Sequence, residues 1–354
     1  MSFDPKELEI VGHARNVPLF SYPVTPKEAH TKLLFTHQHV WMPYGCETSV
    51  FCPSVVPDNI ARGFVIEAKP WGEPYTKHAD MFGINWVFVP TVGGSMEDPD
   101  YPHPLHDVND WKEIIKMPDP TTWDWDASAK LNNEYLKNGK VNLFWFLNGM
   151  GFERLISFMG FEDAAVALID EDQEDALHEL LSALTDLHIQ IADLAIEAYG
   201  DGLGGFCVHD DWGSQKAPFF SFEAGHDFFV PEWQRFTSHV KSKGLVCDLH
   251  SCGHVETQIQ NFIDGGWQSW TPMPMNDTRA LWENYGDKIV IGVVADKWDP
   301  EGPEEEQYEA GKKFAENFFE RDKFACFSSF YAGFPMSDGF AKGMYEVSRQ
   351  KAAK

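Results

Sequence analysis

Two short stretches of this sequence carry residue types at spacings that could do chemistry. In the first, the apolar run Leu245-Val246-Cys247-Asp248-Leu249 ends in His250, Ser251, Cys252, Gly253 and His254. Zinc takes imidazole nitrogen and thiolate sulfur in a tetrahedron, and a catalytic zinc keeps three protein ligands and one open position. His250 and Cys252, delivered by one strand end with a turn permitted by Gly253, supply two such ligands. The third must come from elsewhere, and Cys326, in the last apolar run, is the candidate. The competing reading makes Cys252 an inert buried thiol and both histidines ordinary hydrogen-bonded groups. His254 faces away from His250 in the turn and is expected behind the ligands or on the surface.

The second stretch, Cys207-Val208-His209-Asp210-Asp211-Trp212-Gly213-Ser214-Gln215, closes another apolar run with two carboxylates beside an indole. Asp210 and Asp211 suit acid–base catalysis or the orientation of a metal-bound group. Equally, Asp211 or Ser214 suits the N-cap of a following helix. Trp212 would then wall the pocket.

These residues need a scaffold that brings strand ends together. Eight short apolar runs are expected as strands: His37 to Met42, Ile84 to Val89, Val141 to Leu147, Leu203 to His209, Leu245 to His250, Trp267 to Thr271, Ile289 to Val293 and Phe324 to Ser329. Helix-period segments lie between several of them. The clearest runs from Gln173 to Tyr199 with Leu177, Leu180, Leu181, Leu184, Leu187, Ile191, Leu194 and Ala198 on one stripe. Eight strand–helix units predict an α/β fold, a single (β/α)₈ TIM barrel over residues 1–354. It has an N-terminal extension at 1–35 and a Pro-, Asp- and Trp-rich excursion at 90–135, after the second strand. Barrel active sites gather at the C-terminal strand ends. That rule places Trp41, Tyr44, Met150, Trp212 and Tyr331 as substrate-binding candidates, beside catalytic Asp210 and Asp211 and the metal ligands.

The composition narrows the partners. Against 55 Asp+Glu stand only 28 Lys+Arg, a formal charge of −27 that repels phosphate backbones and anionic lipid, so neither nucleic acid nor membrane is expected. The first residues lack the basic-then-apolar order of a secretory signal, which predicts a cytoplasmic protein. The 6 Cys then fit reduced thiols. The Gly-Gly pairs lack the spacing and the Lys of a phosphate-binding loop, so nucleotide use is not supported. A homodimer is compatible with all of this.

The stretch from Phe228 to Trp270, "FFVPEWQRFTSHVKSKGLVCDLHSCGHVETQIQNFIDGGWQSW", and "LWENYGDKIVIGVVAD" after it resemble the uroporphyrinogen decarboxylase superfamily, in particular its zinc-containing, cobalamin-linked methyltransferases. "TPKEAHTKLL", "HVWMPYG", "MFGINW" and "HDDWGSQ" fit the same register, so the resemblance spans nearly the whole chain and is most specific at His-x-Cys-Gly. It implies a (β/α)₈ barrel. The decarboxylase branch is the poorer match: its Arg-rich motif after the first strand is replaced here by Met42-Pro43-Tyr44-Gly45-Cys46. In the methyltransferase branch a His-x-Cys pair and a later Cys bind zinc. His250 and Cys252 match the pair, and Cys326 comes a few residues earlier than the family's late Cys. Asp210 or another carboxylate is the alternative third ligand.

The resemblance therefore implies a methyltransferase that moves a methyl group between a small substrate and the corrinoid of a separate cobalamin-binding protein. An aromatic methyl ether is the favoured substrate, because aromatic side chains crowd the expected strand ends. Transfer from methylcobalamin to a thiol is the alternative within the class. Outside it stand a decarboxylase-like lyase working through Asp210 or Asp211, and a non-catalytic metal- or corrinoid-protein-binding partner.

Overall fold

Runs of β-branched and aromatic residues become strands where both faces can be covered, and the leucine-striped segments become the helices that cover them. A computed structural model of the chain describes residues 9–14, 17–21, 24–43, 47–63, 65, 75–91, 94–328 and 337–354. Its strands are β1 (Ile10–Ala14), β2 (Val17–Phe20), β3 (Thr48–Phe51), β4 (Lys77–Ala79), β5 (Asn85–Val89) and β6 (Gly94–Glu97). They continue with β7 (Val141–Phe146), β8 (Gly205–His209), β9 (Val246–His250), β10 (Ser269–Trp270), β11 (Val290–Val293) and β12 (Ala325–Phe327). The chain divides into two compact units: Met1–Ser49, Gly139–Val141 and Gln268–Lys354 form one, and Val50–Asn138 with Asn142–Trp267 the other.

In the second unit β7, β8 and β9 are parallel, with Phe146 opposite Val208, Gly205 opposite Val246 and His209 opposite His250. Their residues are almost continuously buried, as parallel strands covered on both faces require. Between β7 and β8 runs the helix Glu174–Tyr199, which buries Leu177, Leu180, Leu181, Leu184, Leu187 and Ile191, six of the eight residues of the expected stripe. Each such side chain contributes about 1.5–3 kcal/mol on leaving water. The helix Phe152–Met159 follows β7 directly, and Val230–Ser242 links β8 to β9.

In the first unit β10, β11 and β12 are parallel, with Trp270 opposite Ile291 and Gly292 opposite Cys326. Helix Pro26–Thr36 opens with a capping box, the Thr25 side chain accepting from the Glu28 N–H while the Glu28 carboxylate accepts from the Thr25 N–H.

The α/β class and six of the eight expected strands are thus observed as parallel strands. Two expectations are corrected. Residues 37–42 are not a strand: His37, at φ +52°, ends the preceding helix in the left-handed conformation, and the chain then runs on without a ladder. Its Pro43 carbonyl accepts a single hydrogen bond, 2.8 Å, from the Phe327 N–H. The second run, Ile84 to Val89, yields β5, but as the centre of an antiparallel sheet between β4 and β6. Its alternating burial, with Trp86 and Phe88 inside, is the period-2 pattern of a strand with one covered face. The 90–135 excursion holds β6 and the helix Trp125–Asn132.

Candidate metal centre

The register of β8 and β9 makes the site. Because His209 and His250 are direct neighbours on parallel strands, their rings stack at 4.6 Å and 15°. Trp145 of β7 lies beside them, 5.7 Å from His250 and 6.2 Å from His209. Each strand then supplies a second donor two residues on: Asp211 after His209, Cys252 after His250. The ligating atoms of these four residues all lie within 4.8 Å of one another.

The two loops are pressed together by glycine. Gly253 sits at φ +95°, and a Cβ there would collide with the Gly213 carbonyl, so only glycine permits the approach. Across it the His254 N–H donates to the Ser214 carbonyl at 2.7 Å and the Cys252 N–H donates to Asp211 Oδ1 at 2.6 Å.

The donor geometry is compatible with zinc. His250 Nε2 lies 3.2 Å from Cys252 Sγ and 4.0 Å from Asp211 Oδ1, and His209 Nε2 lies 3.9 Å from the same oxygen. A tetrahedron with zinc–ligand bonds of about 2.0–2.3 Å has edges of roughly 3.3–3.8 Å. Two imidazoles, a thiolate and a carboxylate are donors zinc accepts. The Asp211 side chain keeps 27 % of its exposure, so the cluster is reachable from solvent on that side.

Charge is distributed unevenly over it. Burial works against a charged His209, but the carboxylates of Glu153 and Asp211 prevail and raise it to about 9. Burial, with the charge of His209, lowers His250 to about 3. Burial also opposes ionisation of Asp211, yet the two imidazoles and the Cys252 N–H hold it below the usual carboxylate range. The Cys252 thiol is held well above its ordinary range by burial and then by Asp211. A dication taken up here must therefore displace protons from His209 and Cys252.

Around the cluster, His209 Nδ1 is 2.7 Å from Glu153 Oε2. Arg62 Nη1 lies 3.6 Å from the other Glu153 oxygen, donates to Asn148 Oδ1, and its guanidinium covers the Trp86 ring at 4.9 Å.

The structure sorts the expected residues. His250 and Cys252 come together, and Asp211 joins them as a potential ligand. Asp210 is not among the clustered donors: it is fully buried and accepts from the N–H groups of Phe152 at 3.3 Å and Glu153 at 2.9 Å, and from Trp212 Nε1 at 3.0 Å. It thus caps the helix Phe152–Met159, a cap expected of its neighbour. Burial and the Glu153 charge push Asp210 up to about 7 against the Glu153 N–H and the Trp212 indole. The approach of Asp210 also explains two glycines, since a Cβ on Gly149 or Gly151 would lie 2.5 or 2.6 Å from its carboxylate oxygens. Cys326 lies on β12, in the other unit, and is not among the clustered donors. Trp212, expected as a pocket wall, is fully buried, stacked on Trp233 at 4.4 Å with Phe220 and Phe262 edge-on. Met150 is buried in the turn after β7. Trp41 is buried in the first unit, its Nε1 donating to Glu47 Oε1 at 2.6 Å. Tyr44 and Tyr331 lie outside the described residues. His254 is half-buried, 3.4 Å from Glu256 Oε1. Sequence reasoning did not assign His209 as a ligand, and it missed Glu153 and Arg62. The signal for His209 was available, since His209-x-Asp211 repeats the spacing of His250-x-Cys252.

A methyltransferase from Methanosarcina mazei shares the fold: its solved structure aligns over 94 % of this chain and all of its own, at 16 % identity and a TM-score of 0.56. The structure of Dispersin B aligns over 87 % of this chain and 99 % of its own at 10 % identity, with a TM-score of 0.33, too low to mark a shared fold. No family model matches the sequence, and no curated protein matches it. No helix among the described residues is long and apolar enough to cross a membrane.

Proposed function

We propose that this chain is a zinc-dependent methyltransferase, built on a TIM-barrel-like scaffold, that moves a methyl group between a small substrate and the corrinoid of a separate cobalamin-binding protein. The observation that carries the reading is the solvent-reached quartet of His209, Asp211, His250 and Cys252 at the ends of two adjacent parallel strands. The shared fold with a methyltransferase supports it, as does the sequence resemblance to the cobalamin-linked branch of the uroporphyrinogen decarboxylase superfamily.

In this reading the two imidazoles, the Cys252 sulfur and an Asp211 oxygen would hold the ion, substrate would be taken as an additional ligand rather than in a vacant tetrahedral position, and Cys326 is not required. Zinc, when bound, supplies a Lewis acid that makes an ether oxygen a better leaving group or a thiol a better nucleophile. The protein's own contribution is placement. The β8–β9 register fixes the imidazoles, and the Asp211 to Cys252 hydrogen bond fixes the two loop donors relative to each other. Trp145 beside the imidazoles offers a flat apolar surface suited to an aromatic methyl ether, the favoured substrate. A lyase working through Asp210 is disfavoured, because the oxygens of Asp210 are already engaged by three N–H donors.

Elemental analysis tests the metal: about one zinc per chain is expected in the wild type and in Cys326→Ala, and loss in Cys252→Ala. Methyl transfer from an aromatic methyl ether to an added corrinoid protein tests the reaction. A wild type that neither carries nor takes up zinc would overturn the reading.

A further inference from the structure

We propose that Glu153 is the positioning residue of this metal centre, acting through His209 by holding its Nδ1 so that Nε2 is the nitrogen presented to the ion. The inference rests on the metal reading above and adds a residue to it.

An imidazole can ligate through either nitrogen, and the choice is set by what the other nitrogen does. Here Nδ1 is 2.7 Å from Glu153 Oε2, a charge-assisted hydrogen-bond distance with Nδ1–H as donor, while Nε2 faces Asp211 on the side of the donor cluster. Unheld, the ring would be free to turn over and present the wrong atom.

Glu153 is in turn fixed from two directions. Its backbone N–H is bound to Asp210 Oδ1 in the first turn of the helix Phe152–Met159. Its second oxygen faces Arg62 Nη1 at 3.6 Å, and Arg62 is held by Asn148 and by the Trp86 ring. The backbone of Asn148, at φ +68° directly after β7, turns the chain there. The alternative, that Glu153 serves only to neutralise Arg62, fits the distances less well. The Arg62 contact is longer than a hydrogen bond and the His209 contact is not. Glu153 and His209 each retain only 13 % side-chain exposure, so water competes little for the pair.

The test compares zinc affinity, by competition with a chromogenic chelator, in the wild type, Glu153→Ala and Glu153→Gln. Loss of such an outer partner weakens zinc binding about 10- to 100-fold. That loss is expected in Glu153→Ala, whereas Glu153→Gln, which keeps an oxygen acceptor for Nδ1–H, should bind within a few-fold of wild type. Imidazole ¹⁵N shifts of zinc-loaded wild-type protein give a second readout that needs no variant: His209 should be protonated at Nδ1 and metal-bound at Nε2. If the wild type binds zinc and Glu153→Ala binds it equally well, or if His209 ligates through Nδ1, the positioning role is wrong and the metal centre stands. If the wild type binds no zinc, both fall.

Discussion

Asp210 and Asp211 are adjacent in the sequence, yet replacing each with Ala should have opposite consequences. In Asp210→Ala three N–H groups lose their acceptor at a site with no solvent exposure: those of Phe152, Glu153 and the Trp212 indole, at 3.3, 2.9 and 3.0 Å. A buried donor left unsatisfied costs about 1–3 kcal/mol. With the longest of the three bonds counted low and some relaxation allowed, the loss comes to about 3–5 kcal/mol, a large part of the roughly 5–15 kcal/mol that holds a domain folded. Asp211→Ala removes one acceptor, from the Cys252 N–H in a half-exposed loop. Water can replace it there, at about 1 kcal/mol or less. The metal response should invert this order. Asp211→Ala loses a ligand and much of its zinc affinity, while the Asp210→Ala molecules that remain folded keep most of theirs, because Asp210 reaches the site only through the Glu153 backbone. Urea denaturation of chelator-treated protein measures the first quantity and zinc competition the second. An Asp210→Ala protein as stable as wild type but unable to bind zinc would refute the division of labour, and so would an Asp211→Ala protein with wild-type zinc affinity.

Three further outcomes follow from the same packing. Trp212→Ala, which empties an aromatic cluster, should cost about 3–5 kcal/mol and leave zinc stoichiometry unchanged, as urea melts and elemental analysis would establish; a selective rise in KM without destabilisation would restore the pocket-wall role. Gly253→Ala should separate the two ligand loops and weaken zinc binding, because its Cβ meets the Gly213 carbonyl; an unchanged affinity would mean the loops tolerate separation. His188 is buried, its Nδ1 2.7 Å from the Leu184 carbonyl, and burial lowers it to about 4. The unfolded chain therefore takes up a proton below about 6.5 that the native state refuses, and the stability tied to neutral His188 is lost as the pH falls towards 4. The gap between wild type and His188→Gln should shrink by about 3 kcal/mol between pH 7 and pH 4. A gap that stays constant in urea melts would refute it.

What the sequence disclosed, and what it withheld, follows from where each interaction lies along the chain. That His250 and Cys252 come together was legible because both belong to one strand end, and a spacing of two residues survives any error about the rest of the fold. The stripe of Glu174–Tyr199 was legible because helical periodicity is local. His209 became a candidate ligand only through the pairing of β8 with β9, a relation between residues 41 positions apart that neither segment's spacing encodes. Slip that register by one residue and the two imidazoles leave their stack, since neighbouring side chains point to opposite faces. Cys326 was chosen by assuming that eight equivalent strands close a ring, and that assumption took β5 for a parallel strand although Trp86 and Phe88 alternate in burial with their neighbours. Asp210 shows the same limit on a smaller scale. The cap was foreseen for the loop after β8, but it serves a helix that precedes that strand in the chain, because β7 and β8 deliver their loops to the same place. In a parallel sheet, then, the donors on one strand end are written in the sequence, while their partners are assigned by register.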